Sequence, residues 1–178
     1  MNRNTFVGVA ETQILAAVET LEMCVRACPD ALWKEPVGTK PFWHVVHHTL
    51  GFTDLYLAKR LLDWKPDRAS GGMHPGGRKG LWEGPAREFG REELLEYART
   101  VREKVELALC EETPRSLAGP SGFSWIKGAR AETYLYNLRH LSHHVGQLTA
   151  FLWKHGCEVS WVTGSRSKKR AKREARRA

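Results

Sequence analysis

Apolar residues recur at steps of three and four positions, or their sum, along four separate segments of the chain, as on the buried face of an amphipathic helix. These stripes are Ile14, Val18, Leu21, Val25 and Cys28; Val45, Phe52, Leu55 and Leu62; Leu94, Ala98, Val101, Val105 and Ala108; and Leu138, Leu141, Val145, Leu148 and Leu152. No segment alternates polar and apolar residues as a half-buried strand does. The sequence therefore predicts an all-α fold, a four-helix bundle with helices over about 10–28, 41–62, 91–112 and 130–155.

A stretch rich in glycine and proline separates the second predicted helix from the third. It spans roughly residues 64–90, contains the run SGGMHPGGRKGLWEGP and shows no sustained period. Loops of this length are uncommon inside compact domains and usually serve a function. We expect a long loop between helices 2 and 3 that can act as a lid over a site.

Length and composition fit one globular domain without a membrane span. The chain has 178 residues, and charged residues break each apolar run well short of the ~20 residues that a transmembrane helix needs. The N-terminal stretch MNRNTFVGVAETQ lacks the basic start and the apolar run of a secretory signal. We therefore expect a cytoplasmic protein with one domain over residues 1–164.

The net charge of +8 is concentrated at the C-terminus. Residues 165–178, SRSKKRAKREARRA, contain eight basic side chains and one acid, which leaves the rest of the chain at +1. Blocks of like charge repel one another and stay unfolded, and basic arms bind polyanions by counterion release. We predict a basic, disordered tail over 165–178, and an arm that binds nucleic acid or an anionic surface is the alternative. Any contact with nucleic acid would be made through this tail.

The four cysteines do not form a recognisable scaffold or metal motif. Cys24 and Cys28 lie one helical turn apart, without CxxC spacing and without a second pair. Free cysteine behaves as a small apolar residue. We interpret the cysteines as packing residues, and a metal or redox pair is the alternative.

Six of the eight histidines fall into two helical clusters: His44, His47 and His48, and His140, His143 and His144. Because residues four apart project from the same helix face, with Cβ atoms about 5 to 6 Å apart, His140 and His144 can direct their imidazoles at one centre. Neutral imidazole is a ligand for zinc, nickel, iron and copper. The pair predicts a metal site, and the alternative is a set of hydrogen-bonded histidines on polar faces without a metal.

A polar line beside the apolar stripe of the fourth helix supports the metal interpretation. It consists of Asn137, His140, His144 and Gln147. Burial of an unpaired polar group costs roughly 1 to 3 kcal/mol, so four such groups in a row require a partner, which a metal would supply. A third ligand must then come from another helix that faces this line.

The second helix offers three candidates for the third ligand. His48 lies on the stripe of Val45 and Phe52, and His44 shares that side one turn earlier. His47 lies on a face rotated by about 100°. We favour His48, while His47 and His44 stay open as alternatives.

Two segments of the chain resemble the DinB/YfiT-like superfamily, which is unrelated to the DNA polymerase that shares the first name. YNLRHLSHHVGQLTAFLW (Tyr136–Trp153) is similar to the last-helix pattern H-x-x-H-H-x-G-Q-L of that family. PFWHVVHHTLGFTDLYL (Pro41–Leu57) is similar to its second helix, where a metal ligand precedes an acidic residue by about six positions, as His48 precedes Asp54.

The resemblance implies a ligand set and an activity. By carry-over, His48, His140 and His144 hold one divalent ion, zinc or nickel before iron or manganese, and His143 faces elsewhere. Relatives include transferases that use low-molecular-weight thiols and a thiol-dependent isomerase, and the family tends to form dimers. We expect a homodimeric, metal-dependent thiol S-transferase that acts on a small molecule in stress or detoxification. The alternatives are a hydrolase that uses metal-bound hydroxide and a non-catalytic metal-binding or regulatory protein.

Two further features bear on these alternatives. A general base near the metal would favour hydrolysis, yet no carboxylate lies on the stripe of His140 and His144, and Asp54 is nearly two turns from His48. An anion-binding group would favour a charged thiol, and Arg130 or Arg139 are the candidates.

Overall fold

The computed structural model describes residues 2–65, 85 and 87–164. The helices within these residues are α1 (Arg3–Ala27), α2 (Phe42–Leu57), α3 (Arg91–Glu111), α4 (Pro114–Ala118) and α5 (Arg130–Lys154). Short 3-10 helices span Asp30–Leu32 and Leu61–Asp63, and a small antiparallel hairpin pairs β1 (Pro36–Val37) with β2 (Lys40–Pro41). The predicted all-α fold is confirmed, and the hairpin and α4 are additions that the periodicity did not indicate.

The four long helices form the bundle. α1 and α2 each pack against both α3 and α5, so they lie at opposite corners. The larger of two hydrophobic clusters lies between the four helices, with Ile14, Leu21, Leu94, Val101 and Leu148 among its fully buried members. Phe52 and Leu55 of the predicted α2 stripe belong instead to a second, smaller cluster with Trp64, Phe123 and Ile126. α2 and α5, which carry the histidines, are neighbours.

Two helix ends differ from the prediction. α1 begins at Arg3 rather than near residue 10, because Oδ1 of Asn2 accepts a hydrogen bond from the backbone N–H of Thr5 at 2.9 Å and caps the helix. α2 ends at Leu57 rather than at Leu62. The assignment of Leu62 to the buried stripe is wrong, since Leu62 is 85% exposed.

A buried arginine determines where α2 ends. Arg130, the first residue of α5, is 4% exposed and donates hydrogen bonds to the backbone carbonyls of Tyr56, Leu57 and Ala58 at 2.9 to 3.0 Å. Its Nε also donates to the buried carboxylate of Glu112 at 3.0 Å. The last carbonyls of α2 are therefore satisfied by a side chain of α5, which holds these two helix ends together.

Parts of the sequence prediction lie outside the described residues. These are residues 66–84 and 86, which make up most of the predicted long loop, and residues 165–178, the predicted basic tail. The connection between α2 and α3 nevertheless runs over residues 58–90. Within the described part of the chain, the helices are too short or too polar to cross a bilayer.

Replacement of Arg130 by leucine should lower the free energy of unfolding by about 3 to 5 kcal/mol, because Glu112 stays buried without its cation and three carbonyls lose their donor. Urea unfolding followed by circular dichroism measures this change. The matched control is Arg139→Leu on the exposed side of the same helix, which should shift stability by no more than about 0.5 kcal/mol. A loss for Arg130→Leu as small as that of the control would contradict the role assigned to the buried arginine.

Candidate metal centre

His48 on α2 and His140 and His144 on α5 meet between the two helices. One ring nitrogen from each residue lies within 4.8 Å of the other two. The ring centroids are 5.3 Å apart for His48 and His140, 4.8 Å for His48 and His144, and 4.6 Å for His140 and His144. Among the described residues, this is the one group of side chains whose ligand atoms could hold a metal ion.

Helix geometry separates His48 from its neighbours on α2. The ring of His47 lies 4.5 Å from that of Phe89 and 6.1 Å from that of Tyr97 on α3, and the side chain is 1% exposed. His44 is half-buried and lies outside the group. Of the three histidines that the sequence offers on this helix, the structure brings His48 to His140 and His144.

Gln147 orients one of the two imidazoles on α5. Its Oε1 lies 2.8 Å from Nδ1 of His144, so Nδ1 carries the proton and Nε2 presents its lone pair. That Nε2 lies 3.2 Å from Nε2 of His140. His143, between them in sequence, is exposed and lies outside the group.

The nitrogen positions fit a divalent first-row ion. Two imidazole nitrogens on a tetrahedral zinc, each at about 2.0 to 2.1 Å, are about 3.3 to 3.4 Å apart. The two Nε2 atoms of His140 and His144 are 3.2 Å apart, and no pair in the group exceeds 4.8 Å. A side-chain rotation that moves one nitrogen by about 1 to 1.5 Å therefore gives all three the spacing of common ligands.

Burial keeps these imidazoles uncharged. Desolvation, with a smaller contribution from the neighbouring His144, lowers the pKa of His48 from 6.5 to about 4 and that of His140 to about 3. Burial also lowers the pKa of His144. All three side chains are neutral at pH 7, which is the form that binds a metal.

Aromatic side chains border the histidine group. The ring of Phe52 lies 4.6 Å from that of His48 and 5.3 Å from that of His140, and the ring of Tyr56 lies 6.3 Å from that of His140. Nε1 of Trp125 donates to the hydroxyl of Tyr56 at 3.2 Å. Sequence reasoning placed Phe52 on the stripe of His48 but missed Tyr56 and Trp125, although a second step of four along α2 could have indicated Tyr56.

The charged residues near the histidines in sequence have other partners in the structure. Asp54 is buried and accepts hydrogen bonds from Nζ of Lys104 at 2.9 and 3.1 Å and from the hydroxyl of Tyr97 at 3.2 Å, so it is bound by α3. The guanidinium of Arg130 donates to the backbone carbonyls of Tyr56, Leu57 and Ala58. Arg139 is exposed. The structure does not bring any of these three into the group of ligand candidates.

Comparison with protein families identifies the family of the chain. A family model of the DinB superfamily matches residues 13–148, which is most of the sequence. The chain belongs to the DinB superfamily. The match covers α2, α3 and the part of α5 that carries the histidines, so it includes all three members of the group. Comparisons of this DinB protein with curated proteins and with solved structures gave no match.

The metal-free protein should lose stability as the pH falls from about 6.5 toward 4. In this range the unfolded chain binds protons on His48 and His140 while the folded chain does not, since the folded-state pKa values are about 4 and 3. The stabilisation is fully present above pH 6.5 and disappears as the pH falls toward the folded-state values. Chemical denaturation in the presence of a chelator, repeated across this range, measures the slope.

The variant His48→Gln/His140→Gln should show a smaller slope of stability against pH. The exposed His143→Gln serves as the control and should keep the wild-type slope. If the free energy of unfolding of the double variant falls with pH in parallel with that of the wild type, His48 and His140 do not contribute to the pH dependence of stability.

Proposed function

We propose that His48, His140 and His144 bind one divalent metal ion and that this DinB protein is a metal-dependent enzyme. The observation that carries the proposal is the convergence of three imidazoles from two helices, with ligand atoms within 4.8 Å of one another. Neutral imidazole is a ligand for divalent first-row ions, and one ion could coordinate a nitrogen of each of the three side chains.

The donor set favours zinc or nickel. Imidazole nitrogen suits zinc, nickel, copper and iron, whereas magnesium and calcium prefer oxygen ligands. Iron and manganese come second, because their protein sites usually include a carboxylate and the group here consists of histidines alone.

A thiol S-transferase is the activity that this donor set supports best. Structural zinc usually has four protein ligands, whereas three leave a position for water or substrate. When bound, the ion supplies Lewis-acid chemistry that lowers the pKa of a water or thiol ligand toward neutrality. The substrates we propose are a low-molecular-weight thiol and a small electrophile, as in stress responses or detoxification.

The position of Asp54 favours thiol transfer over hydrolysis. A hydrolase needs a general base within hydrogen-bond reach of the attacking water. Asp54 is the acid closest to His48 in sequence, and its carboxylate is bound by Lys104 and Tyr97. A metal-dependent hydrolase is therefore the second proposal, and a non-catalytic metal-binding or regulatory protein is the third.

The remaining expectations stay predictions. They are a homodimer, a cytoplasmic location and contact of the tail with nucleic acid, and the tail lies outside the described residues. The exposed indoles of Trp153 and Trp161 offer apolar surface that a second copy could cover. Size-exclusion chromatography with light scattering measures the oligomeric state.

Purified, untagged protein should bind about one zinc or nickel ion per chain, measured by elemental analysis after dialysis. His140→Ala or His144→Ala should remove the ion, because each deletes one of three ligands. His143→Ala, on the exposed side of the same helix turn, is the matched control and should keep full occupancy. Full occupancy in the His140→Ala/His144→Ala variant would refute the ligand assignment.

Protein loaded with zinc or nickel should accelerate the loss of free thiol when low-molecular-weight thiols are screened against small electrophiles. Mass spectrometry should show the thioether conjugate, and both signals should disappear with a chelator or in His140→Ala. Ester or amide hydrolysis without thiol consumption would support the hydrolase instead. Metal binding without turnover in either screen would support the non-catalytic alternative.

A further inference from the structure

Asn137 on α5 is a buried amide that uses only part of its hydrogen-bonding capacity. The residue is 0% exposed, and its Nδ2 donates to the backbone carbonyl of Thr53 on α2 at 3.0 Å. Its Oδ1 is buried and has no hydrogen-bond partner among the described residues. Unpaired buried acceptors are rare, so this atom requires an explanation.

A second unpaired atom lies one helical turn further along α5. Nδ1 of His140 is buried and has no partner in the part of the chain that the structure describes. Residues three apart are neighbours on a helix surface, so the side chains of Asn137 and His140 lie next to each other. A hydrogen bond between them, direct or through one water, requires that one of the two atoms carry a proton.

The hydrogen bonds of the histidine group explain why neither atom is satisfied without a metal. Oε1 of Gln147 accepts from Nδ1 of His144, which leaves Nε2 of His144 as an acceptor. The 3.2 Å contact between the two Nε2 atoms then places the proton of His140 on its Nε2. Nδ1 of His140 is consequently a bare acceptor, and two acceptors cannot bond to each other.

We propose that Asn137 is a positioning residue for the metal ligand His140. When Nε2 of His140 binds the ion, its single proton occupies Nδ1, and Nδ1–H donates to Oδ1 of Asn137 directly or through one buried water. The imidazole is neutral with one proton in both states, so the change is a switch of tautomer without net proton release. This inference rests on the metal site proposed above.

The proposal gives the two ligands of α5 equivalent support. Gln147 lies three residues after His144 and accepts from its Nδ1 at 2.8 Å. Asn137 lies three residues before His140, and its amide is held in place by Thr53. Metal-binding histidines usually donate their second ring N–H to such an acceptor, which fixes the ring orientation.

Two substitutions of Asn137 distinguish the proposed role of its oxygen as a hydrogen-bond acceptor from the role of its side chain in packing. Asn137→Leu removes the whole amide, and zinc affinity, measured by competition with a chromophoric chelator, should fall about tenfold or more. Asn137→Asp keeps an acceptor oxygen, loses the donor to Thr53 and adds a negative charge near the ion, so its zinc affinity should equal or exceed that of the wild type. Metal-free thermal stability should fall in both variants. A purely structural role would weaken zinc binding in both variants alike.

Nuclear magnetic resonance of the wild-type protein tests the tautomer directly and does not depend on a variant that folds. With ¹⁵N-labelled histidine, His140 should be protonated at Nε2 without metal and at Nδ1 with zinc. A proton on Nε2 in the zinc form, or an Asn137→Leu affinity within about twofold of the wild type, would overturn the inference alone. A wild-type protein that binds no zinc would overturn the metal site and this inference together.

Discussion

The packing of α2 against α5 is the constraint on which the rest of the structure depends. At one end Arg130 binds the last carbonyls of α2, in the middle Asn137 binds Thr53, and further along His48 meets His140. Apolar burial is non-directional, whereas hydrogen bonds require a defined distance and angle, so these contacts determine the register of the two helices. The histidine group depends on that register, because a slip of one helical turn, about 5.4 Å, would separate its ligand atoms.

The same burial prepares the histidines electrostatically. Desolvation lowers the pKa values of His48 and His140, so their nitrogens are available at neutral pH without the loss of a proton. At the other end of the interface, the buried side chains of Arg130 and Glu112 form an ion pair at 3.0 Å. The interface of α2 and α5 thus buries neutral imidazoles at the candidate metal centre. It also buries the ion pair of Arg130 and Glu112 where the ends of the two helices meet.

The sequence predicts those features well that follow from the periodicity of a single helix. It predicts less well those features that depend on a residue far away in sequence. The preference for His48 over His47 follows from the 100° between adjacent residues, which is a property of any α-helix. The end of α2 depends instead on Arg130, 72 residues beyond Ala58, and no local pattern contains that information. Trp125 lies on a connection without periodicity, so its contact with the aromatic wall could not be predicted from spacing.

The charge of the histidine group bears on what else would bind there. Three neutral imidazoles leave the full double charge of a divalent ion uncompensated, whereas a carboxylate ligand would reduce it. Asp54, the acid that sequence spacing places nearest, is bound by Lys104 on α3. Because charge–charge attraction strengthens as the local dielectric constant falls, an anionic ligand would gain more from a divalent ion in this half-buried site than a neutral ligand would. A thiolate and a hydroxide are both anions, so this charge would favour ionisation of the bound ligand in the proposed thiol transfer and in the alternative hydrolysis alike.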